Sequence, residues 1–111
     1  MNIRVVKEKI SRTEAKEIAK EFYVDMVKGA VDMEREIIAL GGEWHIDANN
    51  ALIDDGSMQP NVWGFNFYPD LNRIQYSSLI NIRPLQNNRA IEIQDEKLRR
   101  QMEKIIRKLI S

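Results

Sequence analysis

The stretch that decides the fold of this chain is Val62-Trp63-Gly64-Phe65-Asn66-Phe67-Tyr68. Its three aromatic residues Trp63, Phe65 and Phe67 share one parity, and Gly64 and Asn66 take the other. Because successive side chains of a strand point to opposite faces of a sheet, this period of two predicts a strand whose aromatic face is buried.

A second alternating segment follows after a short turn, Pro69-Asp70-Leu71-Asn72. From Ile74 to Arg83 the apolar residues again share one parity, with Leu79 as the only large exception. The residues of opposite parity are Gln75, Ser77, Asn81 and Arg83. The two segments predict neighbouring antiparallel strands whose polar sides face the same way.

Upstream, Ser11 and Glu14 have the spacing of a capping box, which predicts a helix that begins there. Apolar residues then recur at intervals of three or four up to Leu40. One long helix and two helices broken near Tyr23 both fit this pattern. Gly41-Gly42 is expected to end the helical region, since glycine readily adopts the left-handed conformation found after helices.

Shorter segments predict further strands. Trp44 to Asp47 alternates, and Ala51 to Ile53 is a short apolar run after Asn49-Asn50, so both are interpreted as strands of a hairpin. Near the N-terminus, Ile3, Val5 and Val6 predict a short strand or an extended arm. Asp54-Asp55-Gly56-Ser57 is interpreted as a turn.

The C-terminal segment predicts a helix capped by Asp95, with Arg107 and Lys108 in its last turn. Its apolar stripe comprises Leu98, Met102, Ile105, Ile106 and Leu109. Together these elements predict an α+β fold in two layers. The N-terminal helix or helices precede an antiparallel sheet of three to four strands, and the C-terminal helix packs on one sheet face. At 111 residues, the range 1–111 is expected to form a single domain.

Composition limits the class of protein. The chain has no cysteine, which excludes disulfides and thiolate chemistry and is compatible with a cytoplasmic location. We expect no membrane segment, because no apolar run approaches the length of a span. With 17 basic and 17 acidic residues, non-specific nucleic-acid binding is not the expected main task. The centre is acidic, with no Lys or Arg between Arg35 and Arg73, whereas basic residues are prominent afterwards.

If both helical regions cover one sheet face, the opposite face is expected to be open and polar. It would carry Glu43, His45, Asp47, Asn66, Ser77, Asn81 and Arg83. Such a face suits a ligand site, although a solvated face or an oligomer contact also accounts for it.

The sole histidine lies in Glu43-x-His45-x-Asp47, where a strand would direct the three side chains the same way. A neighbouring carboxylate could orient His45 as a general base, which makes it the one candidate catalytic residue. A surface or structural histidine is the alternative. With no second histidine, we assign no metal and no cofactor.

Arg83, Gln86, Asn88 and Arg89 form a cluster suited to phosphate or carboxylate. Guanidinium groups offer two donors in a fixed geometry, and side-chain amides can recognise a neighbouring polar edge. Alternatively, Pro84 ends the strand and the arginines pair with the acidic centre. The predicted ligand-binding residues are Asn66, Asn81, Arg83, Gln86, Asn88 and Arg89.

The chain resembles a family of small prokaryotic proteins of unknown function, from about Met26 to the C-terminus. The resemblance rests on Gly41-Gly42-Glu43, on Asp54-Asp55-Gly56-Ser57-x-Gln59, on Trp63 to Pro69 and on Ile80 to Arg89. It implies one compact domain and brings no reaction or substrate.

A looser similarity links the chain to the messenger-RNA-cleaving toxins of toxin and antitoxin pairs, which combine N-terminal helices with an antiparallel sheet. It would make Arg83 and Arg89 phosphate contacts and His45 a proton-transfer group. Those toxins are generally basic, and this chain is neutral.

Three functions are therefore considered. The first is a cytoplasmic, homodimeric domain that binds a small anionic or nucleotide-like ligand through the Asn, Arg and Gln cluster. The second is a ribonuclease or phosphodiesterase that uses His45 and Arg83. The third is a homo-oligomeric interaction module without a small-molecule site. Whether the chain is an enzyme stays open at this point.

Overall fold

The computed structural model describes residues 1–76 and 92–111. Within them lie five strands and three α-helices, together with one 3-10 turn at Gln59–Asn61. In chain order they are β1 (Arg4–Val6), α1 (Arg12–Ala19), β2 (Val27–Asp32), β3 (Ile37–Leu40), α2 (His45–Asp54), β4 (Val62–Tyr68), β5 (Arg73–Gln75) and α3 (Glu96–Leu109). None of these helices is long and apolar enough to cross a bilayer.

The five strands form one antiparallel sheet in the order β1-β3-β2-β4-β5. The predicted strand at Val62–Tyr68 is confirmed as β4, which pairs with β2 on one side and β5 on the other. β5 covers the start of the second predicted strand, and its continuation from Ser77 to Arg83 lies outside the described residues. The α+β class and the antiparallel sheet are thus confirmed, with five strands in place of three to four.

The aromatic face of β4 forms the main core, as its alternation predicts. Trp63, Phe65 and Phe67 are buried there against residues of α1 and α3. The capping box of α1 and the Asp95 cap of α3 are present, so both helices begin where the sequence predicts. This face holds the C-terminal helix against the sheet.

Small residues form a row across the opposite face. Ala30 pairs with Ala39 on one side and with Gly64 on the other, which lets a helix approach the sheet closely. α2 fills this space, and its Ala48 and Leu52 are fully buried in a second cluster with residues of the three strands. The opposite face is therefore partly covered by a helix and only partly open.

Both versions of the predicted helical region, one long helix and two helices broken near Tyr23, are wrong beyond Ala19. Residues 27–40 form a hairpin of β2 and β3, in which all but one residue of the two strands are buried. Strands buried on both faces lose their alternation, so their apolar residues can imitate a helical period. The turn is closed by Asp32, whose Oδ1 accepts from the backbone N–H groups of Glu34 and Arg35.

The two strands predicted within Trp44 to Ile53 are also wrong, because this segment forms α2. Packing of its apolar side decides the conformation, against the weak helix propensity of Asn49 and Asn50. Gly41 and Gly42 do have positive φ angles, of 118° and 92°. They end β3, however, and not a helix.

Val24 carries backbone strain between α1 and β2. Its φ is +64°, and the Asp25 N–H donates to the Tyr23 carbonyl oxygen at 2.7 Å, which defines a γ-turn centred on Val24. This form of the γ-turn is rare and strained, above all for a β-branched residue. The side chain is 61% exposed, so packing does not hold it in place.

We expect Val24→Gly to stabilise the domain by about 1 kcal/mol, because relief of roughly 1–3 kcal/mol of strain exceeds the added entropy of the unfolded chain. Urea unfolding followed by circular dichroism measures the change. Val24→Ala keeps a Cβ atom and is the matched control, for which no comparable gain is expected. A glycine variant no more stable than the alanine variant would contradict the assignment of strain.

Candidate functional site

A row of polar side chains crosses the part of the sheet face that α2 leaves uncovered. Lys28 of β2 lies directly opposite Asn66 of β4, which in turn lies opposite Gln75 of β5. Residues paired in this way point to the same side of an antiparallel sheet. The three side chains therefore share one face, beside the start of α2.

Asn66 is the centre of a hydrogen-bonded network on this face. Its side chain is only 8% exposed. Nδ2 donates to Gln75 Oε1 at 3.0 Å, and the same oxygen accepts from the Tyr68 hydroxyl at 3.1 Å. Asn66 Oδ1 accepts from His45 Nε2 at 2.7 Å. The amide is thus held in one orientation by partners on both sides.

The first turn of α2 places His45 over Asn66. Asp47 Oδ2 accepts from the backbone N–H groups of Glu43 and Trp44, at 3.0 and 2.9 Å, and so caps the start of the helix. Gly42 lies against this cap, where an added Cβ atom would be 2.6 Å from the Asp47 Cβ atom. Gly42, the second residue of the glycine pair, therefore leaves room for the cap that positions His45.

His45 is uncharged at neutral pH. Burial, followed by the charge of Lys28, lowers its pKa from 6.5 to about 4, although hydrogen bonds with Asn66 and the Phe65 backbone act in the opposite direction. Because Asn66 Oδ1 accepts, Nε2 is the donor in this contact. The ring therefore holds the Asn66 amide in place, and with a pKa of about 4 it lacks the proton that a general acid would supply near pH 7.

Lys28 supplies the positive charge of the face. Its ammonium lies 5.0 Å from the centre of the Tyr23 ring, and the side chain is half-buried. Among residues 1–76 and 92–111 no carboxylate forms an ion pair with it. Burial accordingly lowers the pKa of Lys28 from its usual value.

Tyr23 connects this lysine to the loop before α2. The Tyr23 hydroxyl donates to the backbone carbonyl oxygen of Glu43, and its ring lies under Lys28. Burial, and then the charges of Glu43 and Asp47, raise the pKa of Tyr23. One flank of the site is therefore electronegative, although its centre is cationic.

Two residues singled out in the sequence, His45 and Asn66, are in direct contact here. Asn81, Arg83, Gln86, Asn88 and Arg89 lie outside the described residues. Sequence reasoning missed Lys28 and Tyr23, since both were assigned to a helix. Val27 and Val31, on either side of Lys28, were the available signal for a strand at that point.

The proposed alignment of Glu43, His45 and Asp47 along one strand is wrong, because the strand is absent. His45 contacts Asn66, whereas Asp47 caps α2. Across the described part of the chain, no group of three or more His, Asp and Glu side chains is placed to hold a metal ion.

Residues 54–57 hold the end of α2 in place through hydrogen bonds with Arg35. Arg35, at the β2–β3 turn, donates to Asp55 Oδ2 at 2.8 Å and to Ser57 Oγ at 2.9 Å. Nearby, Asn49 and Gln59 exchange two amide hydrogen bonds of 2.9 and 2.7 Å. The Arg35 contacts fix the end of α2 to the β2–β3 turn, and the amide pair fixes α2 to the 3-10 turn, so this segment has a structural role.

A groove of about 560 Å³ lies elsewhere, between the start of α1 and the β4–β5 turn. Lys16 pairs there with Asp70 at 2.9 Å, and Arg12 donates to the Pro69 carbonyl oxygen at 3.3 Å. Both cations of this groove are exposed, whereas Lys28 is half-buried beside a connected hydrogen-bond network, so we place the candidate site at Lys28, His45 and Asn66.

Comparison with known proteins agrees with the resemblance seen in the sequence and extends it over nearly the whole chain. No curated protein and no solved structure matches this sequence. A family model does match, over residues 4–109, and it describes the family as "Protein of unknown function (DUF5674)". With 4–109 of 111 residues matched, the chain belongs to this family of proteins of unknown function.

Proposed function

We propose that the chain is a binding domain for a small anionic ligand, which it recognises at the face formed by Lys28, His45, Asn66 and Gln75. The observation that carries the proposal is the Lys28 ammonium, half-buried and without an ion-pair partner among the described residues. Partial burial of a charge is costly unless it is compensated, and an anionic ligand would compensate it.

The neighbouring groups support binding more than catalysis. Around Lys28 stand a neutral imidazole and two side-chain amides in a connected network. Such groups orient a polar ligand without repelling its charge. A ribonuclease that relies on His45 would need the ring to exchange protons near pH 7, and a pKa of about 4 does not favour that role.

Lys28→Met tests the proposal, because methionine keeps the apolar stem and removes the charge. We expect it to weaken binding of the ligand by about 10–100-fold, the usual effect of losing one charge-assisted hydrogen bond. Isothermal titration of wild type and variant with inorganic phosphate, acetate and nucleoside monophosphates measures the change. Lys104→Met, an exposed lysine on α3, is the matched control.

Two results would count against this function. Wild-type protein that binds none of these anions would remove it altogether. Equal affinities of wild type and Lys28→Met would move the site away from Lys28. Arg83→Ala and Arg89→Ala belong in the same titration, since the sequence still predicts that these arginines contact the ligand.

The proposed setting is a prokaryotic cytoplasm, with the domain as a homodimer. The absence of cysteine supports a reducing compartment. β1 supports pairing of two copies, since among the described strands it is paired only with β3 and so forms a sheet edge. Light scattering that shows a monomer at all concentrations would remove the homodimer from the proposal.

A further inference from the structure

Trp44 lies in the chain between two residues that connect to the proposed site. The residue before it, Glu43, accepts the hydrogen bond of Tyr23, whose ring lies under Lys28. The residue after it, His45, contacts Asn66, which lies directly opposite Lys28 in the sheet. Each sequence neighbour of Trp44 therefore contacts a residue next to Lys28. Glu43 contacts Tyr23, and His45 contacts Asn66.

The indole of Trp44 is open to solvent. Trp44 is 58% exposed, in contrast to the other tryptophan of the chain, Trp63, at 5%. A single exposed apolar residue is ordinary on a protein surface. Here, however, the exposed indole stands in the chain between Glu43 and His45, which contact Tyr23 and Asn66, and its backbone is held in place by Asp47. Its main chain is therefore ordered in advance of any ligand.

We infer that Trp44 is a stacking surface for a planar ring of the ligand whose anionic group pairs with Lys28. This inference rests on the proposed function and narrows the ligand to a heteroaromatic phosphate, with nucleoside monophosphates as the representative class. An indole binds the face of a purine or pyrimidine regardless of the base, whereas the ammonium recognises the phosphate.

The charges around the site favour a single nucleotide over a polymer. Burial, and then the carboxylates of Glu43 and Asp47, raise the pKa of Tyr23, so the field of these carboxylates reaches the residue that contacts Lys28. In a nucleic acid, phosphates on both sides of the bound nucleotide would meet this negative flank. A mononucleotide would place its one anionic group on Lys28, and only its uncharged base would lie near the carboxylates of Glu43 and Asp47.

Titration calorimetry with paired ligands tests the inference. Adenosine, guanosine, cytidine and uridine monophosphates are compared with ribose 5-phosphate, which has the phosphate and sugar but no base. We expect wild-type protein to prefer the best nucleoside monophosphate by about tenfold over ribose 5-phosphate, from one stacked base. Trp44→Leu should abolish this preference and leave the affinity for ribose 5-phosphate unchanged.

Two further variants make the result specific. Trp44→Phe keeps a ring and should retain part of the preference. Met58→Ala removes another exposed apolar side chain and should retain all of it. In wild type, Trp44 fluorescence should also change on binding, with buried Trp63 as a constant background.

Each outcome has one meaning. Equal affinities for ribose 5-phosphate and every nucleotide would overturn the stacking role but support the anion site. A nucleotide preference that survives Trp44→Leu would also overturn it. Absence of binding by ribose 5-phosphate and by all nucleotides, together with inorganic phosphate and acetate, would overturn the proposed function itself.

Discussion

Phe65→Ala is expected to destabilise the domain by about 3–5 kcal/mol, the usual effect of truncating a buried phenylalanine. Phe65 is fully buried on β4, and its ring lies over Gly29 of the neighbouring strand. Because glycine has no side chain, no neighbouring Cβ group at that position can fill the space that truncation leaves. The cavity should therefore keep most of its volume.

Urea unfolding measures this loss, and Leu71→Ala is the control. Leu71 is 68% exposed, so its truncation should change the stability by no more than about 0.5 kcal/mol. A loss below about 1.5 kcal/mol for Phe65→Ala would mean that the core closes around the missing ring, contrary to the packing seen here.

A double-mutant cycle with Gly29 sharpens the test. A Cβ atom on Gly29 would lie 2.5 Å from Phe65 Cζ, so Gly29→Ala alone should destabilise the domain by about 1–3 kcal/mol. In the Phe65→Ala background the clash is absent and the added methyl group fills part of the cavity. The two losses should therefore sum to more than the loss in the double variant.

The sequence predicted β4 and α3 because each keeps its large apolar residues on one side. β4 is also buried on its other face, but that face carries Gly64 and Asn66, so the alternation of residue types remains visible. Alternation of large aromatic residues with Gly64 and Asn66 admits one interpretation, and so does the apolar stripe of a capped terminal helix. β2 and β3 lie between other strands and are covered on both faces, so no polar side of the strand remains to mark a period of two. Their burial depends on β4, far away in the chain.

α2 could not be predicted for a related reason. Its Asn49 is buried and bonded to Gln59, a contact that compensates a polar group inside the second cluster. In its local sequence, Asn49-Asn50 is typical of a turn. These residues become helical because α2 packs against Ala30 and Ala39. Tertiary packing thus overrode local preference.

Part of the candidate site was within reach of the sequence. Parity placed Asn66 on the face opposite the aromatic residues, and His45 does lie beside it. The reason differs, since the first turn of α2 carries His45 there, not a strand. Lys28 could be added only after β2 was known, because its role follows from pairing with Asn66.

Gly42→Ala is the second substitution with a large expected effect, a loss of about 2–5 kcal/mol. Roughly 1–2 kcal/mol should come from a Cβ atom in the left-handed region, where φ is 92°. A further 1–3 kcal/mol or so should come from overpacking, since that atom would be 2.6 Å from the Asp47 Cβ atom. The clash falls on the cap that holds His45 over Asn66.

Gly56→Ala separates these two contributions. Gly56 also has a positive φ, of 106°, but an added Cβ atom would meet nothing closer than the Arg35 guanidinium at 3.9 Å. It should therefore lose only the conformational part, about 1–2 kcal/mol. Urea unfolding compares the two variants. Equal losses of stability in the two variants would show that Asp47 moves aside without a loss of free energy. Gly42 would then have no part in placing His45.

In the folded Gly42→Ala variant, the same clash should also affect ligand binding. If Asp47 shifts to admit the new methyl group, the N–H groups of Glu43 and Trp44 lose their acceptor, and the first turn of α2 loosens. His45 and Trp44 would then move together relative to Lys28. Gly42→Ala should accordingly weaken nucleotide binding at temperatures where it is still folded, whereas Gly56→Ala, whose Cβ atom meets no residue of that face, should bind as wild type does.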